Sequence, residues 1–177
     1  MNKLFAIIIG LLILGGVGWL VIRAKNAPEE SKQTAQTAQS EKAPDFALQD
    51  YGGNTVRLTD FSGKPLVINS WAAWCPFCRE ELPDFARAQK EFGDKVVIIA
   101  IDRAESLGVA KGYTDRQGTT NQLVFLLDPS DSFYKSIGGF SMPETIFVDP
   151  EKNIVIHKRG PMKLDEIKSK IEELINK

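Results

Sequence analysis

The two cysteines of the chain, Cys75 and Cys78, stand at C-x-x-C spacing between an apolar run, Leu66 to Trp71, and the start of a helical pattern at Pro76. A strand that runs into such a pair at a helix N-terminus can close and open one disulfide. The first thiol lies near the partial positive charge of the helix end, which favours its thiolate. The second lies one turn further in, within reach of a disulfide made by the first. Pro76 falls at the first helical position, where a missing N–H costs nothing. Half of a zinc site would need further ligands, and the chain offers one histidine, His157, far away in sequence. A purely structural bridge over so short a loop removes little unfolded-state entropy.

The chain has 177 residues, enough for one domain and an appendage. Its formal net charge is −1, which lacks the basic signature of a nucleic-acid binder. The appendage is at the front. Leu4 to Ile22 is an uncharged, mostly apolar run of 19 residues. About 20 residues span a hydrocarbon core, whereas the apolar part of a cleaved signal has roughly 7–15. Arg23 and Lys25 follow the run, and no small-x-small cleavage site does. Residues 1–23 are therefore expected to form a retained, single-pass membrane anchor. Lys3 on one side and Arg23 and Lys25 on the other leave the positive-inside count close to balanced. Residues 24–43 are polar and aperiodic and read as a flexible linker with a reach of roughly 25 Å.

Residues 44–177 carry the pattern of a folded domain. Phe46, Leu48, Val56 and Leu58 alternate around Asp50-Tyr51-Gly52-Gly53-Asn54, a hairpin signal. Buried strands are expected over 66–70, 95–101 and 123–127, and helices over 76–92, 104–116, 132–137 and 164–175. A closing hairpin is expected over 145–148 and 154–156, turning at Asp149-Pro150-Glu151-Lys152-Asn153. Such alternation predicts an α/β sandwich with a sheet parallel in the middle and antiparallel at one edge.

The segments Val67-Ile68-Asn69-x-Trp71-Ala72-x-Trp74-Cys75-Pro76-x-Cys78-Arg79-x-Glu81 and Met142-Pro143-Glu144-Thr145-Ile146-Phe147-Val148-Asp149 resemble membrane-anchored thioredoxin-like proteins of the TlpA type. These include the ResA-like and CcmG/DsbE-like thiol-disulfide oxidoreductases of cytochrome c maturation. The resemblance runs from about Ala43 to the C-terminus. It implies a thioredoxin-like fold, a central mixed sheet flanked by helices and preceded by a β-hairpin, behind a single transmembrane helix. It also implies a catalytic domain on the outer face of a bacterial cytoplasmic membrane. There it would take electrons from a membrane thiol carrier and reduce disulfides in exported proteins such as apo-cytochrome c. No cofactor is implied beyond the Cys75–Cys78 pair. Two departures stand out. Phe77 gives a Pro-aromatic dipeptide like that of glutaredoxins, and Gly138-Gly139-Phe140-Ser141 replaces a shorter Gly-Val-x-x pattern.

On this reading Cys75, expected to be the more exposed thiol, attacks, and Cys78 resolves the mixed disulfide. The resemblance implies a cis Pro143 facing the disulfide, with Met142 offering its backbone to a bound partner. Trp74, Pro76 and Phe77 would line the partner's docking surface; Trp71 reads as core. Glu81 matches an active-site acid of the ResA-like proteins. A carboxylate there disfavours a nearby thiolate and can relay protons. Asn69 stands where thioredoxins carry a buried acid, and Glu144 is a second, weaker candidate for that task. His157 reads as an edge-strand residue without a role.

Two other functions fit the same residues. A disulfide oxidase or isomerase would share the chemistry, because direction is set by reduction potential. A tethered module that holds thiols or copper(I) without catalysis would bind stoichiometric metal when reduced. A peroxiredoxin would need a Thr-x-x-Cys turn, and Ala72-Ala73-Trp74 precedes Cys75 instead.

Overall fold

The computed structural model of the protein describes residues 41–176. The expected anchor and most of the expected linker lie outside them. Among the described residues no helix is long and apolar enough to cross a membrane.

Seven strands form one sheet in the order β2-β1-β5-β4-β3-β6-β7. They are β1 (Ala47–Asp50), β2 (Thr55–Arg57), β3 (Leu66–Trp71), β4 (Val97–Arg103), β5 (Val124–Asp128), β6 (Glu144–Val148) and β7 (Ile154–Arg159). The helices are α1 (Pro76–Phe92), α2 (Leu107–Gln117), α3 (Ser132–Ser136) and α4 (Leu164–Ile175). β3, β4 and β5 are parallel neighbours. Every residue of β3 is buried, as expected of a strand covered on both faces.

The sheet is antiparallel at both edges, not at one. β6 and β7 extend it beyond β3. At the other edge β1 pairs with β5, through Gln49 opposite Leu127 and Asp50 opposite Leu126. The N-terminal hairpin thus covers strand edge that β5 would otherwise leave open to pairing. Its alternation shows a hairpin but not the strand it joins.

Alternate side chains of β3 and β4 sort the core. Leu66, Ile68, Ile99 and Ile101 face Phe46, Leu58 and α3. Val67 and Ile98 face Phe85 and Ala88 of α1 and Ile167, Ile171 and Leu174 of α4. Nearer the C-terminal end of the strands, Trp71, Ala100 and Phe125 pack with Leu82, Ala110, Tyr113 and both cysteines. α1 ends where Gly93 takes φ 55°, which a residue with a Cβ rarely adopts.

Candidate active site

β3 ends at Trp71, and the chain turns through Ala72 to Trp74 into α1. The Cys75 amide donates to the Ala72 carbonyl across 3.1 Å. Cys75 is the N-cap of α1, and its Sγ accepts the N–H of Cys78 at 3.2 Å. Pro76 follows at the first helical position, as the sequence predicts. Cys75 and Cys78 are joined as a disulfide with their Cα atoms 5.3 Å apart. Exposure does not separate the two: Cys75 is 2% exposed and Cys78 fully buried. What separates them is the cap. On reduction the Cys75 sulfur keeps the helix end and the Cys78 N–H as stabilisers of negative charge.

Trp74 is 60% exposed and Phe77 55%, so both stand out beside the disulfide, and Pro76 between them is exposed as well. Trp71 is fully buried and packs tilted against Tyr113 and edge-on to Phe125. The Met142–Pro143 peptide is cis, and Met142 packs against the cluster that contains both cysteines. Two chain segments far apart in sequence thus meet in the cluster that holds the sulfur pair.

Glu81 points inward from α1 and is 1% exposed. Its Oε1 accepts Asn69 Nδ2 at 2.8 Å, and its Oε2 accepts the Met162 N–H at 3.1 Å. Asn69 Nδ2 also donates to Thr145 Oγ1 at 3.0 Å. Burial pushes the Glu81 carboxyl up to about 8, against the pull of Met162 and Asn69. At neutral pH Glu81 is therefore mainly the protonated acid. It is a store for one proton, one turn beyond Cys78 on the same helix side.

Glu144 takes a different part from the one the sequence suggested. It is fully buried. Its Oε2 accepts the N–H groups of Phe140 at 2.9 Å and Ser141 at 3.0 Å. Its Oε1 meets His157 Nε2 at 2.6 Å and Arg159 Nε at 3.2 Å. Burial alone would raise this carboxyl, yet Ser141, Phe140 and His157 together hold it below its usual value. Glu144 is thus an ionised anchor for the loop before Pro143 and a poor proton carrier. His157, read from sequence as having no role, is half of that anchor.

The same loop explains the Gly138-Gly139 insertion. A Cβ on Gly139 would lie 2.4 Å from the Tyr134 ring, so only glycine fits. The Tyr134 hydroxyl in turn donates to the Ser141 carbonyl at 2.9 Å. The loop so held presents Phe140 at 86% exposure, a feature that hydrophobicity alone does not reveal.

Glu144→Ala should cost about 2 kcal/mol at neutral pH, since it removes charged hydrogen bonds to two amides. Because the folded carboxyl is held low, that contribution is present above the unfolded value and fades as pH falls through the folded one. Urea titrations at neutral and acid pH check this. A loss equal at both would show that Glu144 is not held ionised.

The family profile described as Redoxin matches residues 38–175. The chain belongs to the redoxin family. This redoxin is 28% identical to the thioredoxin-like protein YneN of Bacillus subtilis (strain 168), over 97% of its own length and 98% of that protein's. It is 26% identical to the thiol-disulfide oxidoreductase ResA of Bacillus thuringiensis subsp. konkukian (strain 97-27), over 98% and 95%. The crystal structure of the exposed lipoprotein thioredoxin Etrx1 of Streptococcus pneumoniae (strain TIGR4) superposes with a TM-score of 0.64 at 32% identity. It covers 74% of this chain and all of that one. The fold is thioredoxin-like, and the activity it carries is thiol–disulfide exchange at Cys75–Cys78.

Proposed function

We propose that this redoxin is a membrane-tethered reductase of disulfides in exported proteins. The observation that carries the direction is Glu81. A protein dithiol is a strong oxidant when its reduced form is specially stabilised. The Cys75 thiolate has the helix end and the Cys78 N–H as stabilisers; Glu81 adds none while it is protonated, and opposes a thiolate once it ionises. That balance favours the disulfide form and hence the donation of electrons.

In the reaction the Cys75 thiolate attacks one sulfur of a partner disulfide, and the other partner sulfur leaves as a thiolate. Cys78 then attacks the Cys75 sulfur of the mixed disulfide and releases the second partner thiol. Two electrons pass to the partner, and the Cys75–Cys78 disulfide forms. The ionised fraction of Glu81, small at neutral pH and growing as pH nears 8, can take up the Cys78 proton as that thiol attacks. Trp74, Pro76, Phe77 and the Met142–Pro143 backbone form the docking surface around the sulfurs. A membrane thiol carrier resets the pair, and apo-cytochrome c is the substrate that the sequence resemblance implies.

The tether rests on the uncharged run Leu4–Ile22. The matches to YneN and ResA extend over nearly the whole chain and so take in most of that run. In this proposal the catalytic domain works on the outer face of a bacterial cytoplasmic membrane, as the sequence resemblance implies. A reporter that works only after export, fused at Lys177, should be active. Activity of a reporter that works only in the cytoplasm would overturn the placement.

A further inference from the structure

A second pair of acids lies on the far side of the turn into Cys75, and the thiol chemistry above does not use it. Asp102 ends the buried part of β4, in register with Trp71 of β3, and is fully buried. Its Oδ1 accepts the Glu105 N–H at 3.2 Å. Its Oδ2 has no hydrogen-bond donor among the described residues. Between the two acids Ala104 adopts φ 57°, a left-handed backbone that alanine rarely takes. Its N–H is tied to the Asp128 carbonyl at 3.0 Å. This forced bend brings Glu105 back over the sheet end, where its Oε2 accepts the Ala73 N–H at 2.6 Å. Ala73 lies in the turn closed by the Cys75–Ala72 hydrogen bond.

A buried carboxylate oxygen without a donor, beside a second carboxylate, is costly unless a proton sits between them. We propose that Asp102 and Glu105 share one proton, and that this shared proton keeps Glu105 on the Ala73 amide and so fixes the approach to Cys75. Both are positioning residues. Burial first, and then the side chain of Glu105 through its hydrogen-bonding contact and its charge, push the Asp102 carboxyl upward against the pull of the Glu105 N–H, in line with the shared proton. The groups facing the pair do not replace it. Tyr51, from the turn between β1 and β2, is itself raised, first by burial and also by the charges of Asp102, Asp115 and Glu105. Asp115 of α2 is bound by Lys111 at 2.7 Å. Trp71 contributes an indole N–H that has no partner among the described residues. The neighbouring cation, Arg103, is bound to Asp131 at 2.6 Å. When the pair loses its proton, two like charges face each other. Glu105, only half-buried, then swings toward water and frees the Ala73 amide.

The test is the pH titration of the Ala73 amide shift by NMR, on the full chain in detergent micelles. The unaltered protein should show a step well above the ordinary carboxylate range of about 4. In Asp102→Asn the step should fall to that range, and in Glu105→Gln it should vanish. Exchange with glutathione disulfide gives a second readout. The rate of Asp102→Asn relative to the unaltered protein should be near unity in mild acid. It should rise severalfold above the pair's ionisation, whereas a merely structural role gives a ratio independent of pH. Should Asp102→Asn not fold, the Asp102 carboxyl carbon of the unaltered protein must titrate together with the Ala73 amide. An amide step only in the ordinary range, or an Asp102 step at a different pH, would overturn the proposal. The inference rests on disulfide exchange at Cys75, but its NMR readout is independent of the reductase direction and of the tether.

Discussion

Cells producing the Cys78→Ser variant should accumulate covalent adducts of this redoxin with exported proteins, and cells producing Cys75→Ser should accumulate almost none. The reason is the order of the two steps. Exchange passes through a mixed disulfide on the attacking sulfur, which the second thiol clears. Cys75 is the helix N-cap, and its sulfur receives the Cys78 N–H, so its thiolate is the better stabilised. Cys78 lies one turn in, where its sulfur reaches that of Cys75. Without Cys78 the partner stays attached, and either substitution alone should abolish catalytic turnover. Adducts are read as reductant-sensitive bands on a gel, and their identification names the substrate. An apo-cytochrome c among them would place the protein in haem-protein maturation. Equal trapping by both variants, or by neither, would mean that the roles of attacking and resolving thiol are misassigned.

Glu81→Gln should change the pH dependence of stability strongly. The folded carboxyl is raised from 4.5 to about 8, so the folded state binds this proton more tightly than the unfolded chain does. That contribution is fully present below the unfolded value and is lost as pH rises through the folded one. Over that window the loss amounts to about 4–5 kcal/mol for this one group. Glutamine has no proton to lose. The variant should therefore gain stability relative to the unaltered protein as pH rises, and the gain should level off above about pH 8. Urea midpoints across pH measure it, and parallel curves would show that Glu81 titrates normally. The same raised value refines the effect on the thiols. At neutral pH the acid is largely uncharged, so alkylation of the reduced pair should be similar in both proteins. The curves should part in alkaline solution, where Glu81 ionises and only the glutamine variant escapes its charge.

The parts of the site that follow from local pattern were legible in the sequence. The apolar run before Cys75, the proline after it and the period of 76–92 predict a strand, an N-cap and a helix, and β3 and α1 are found there. Trp71 closes the strand and Trp74 ends the turn three residues later, and one is fully buried and the other exposed. What stayed hidden depends on contacts between distant segments. The resemblance marks Glu81 as an active-site acid, but its burial follows only from distant contacts such as the Met162 amide, which closes over it from the approach to α4. Glu144 and His157 meet only through the pairing of β6 with β7. The helix expected from Ala104 begins at Leu107 instead, because Ala104 is left-handed and Glu105 is committed to Ala73. No periodicity encodes that bend, so the Asp102–Glu105 pair was invisible in sequence.

The equilibrium reduction potential of the Cys75–Cys78 pair, measured on the full chain against a glutathione or dithiothreitol couple, tests the reductase reading most directly. A thiolate that gains nothing from the protonated Glu81, and loses stability once that acid ionises, predicts a reducing pair, near or below the thioredoxin value of about −270 mV. A potential close to that of a disulfide-forming enzyme, about −120 mV, would contradict it and make the protein an oxidase.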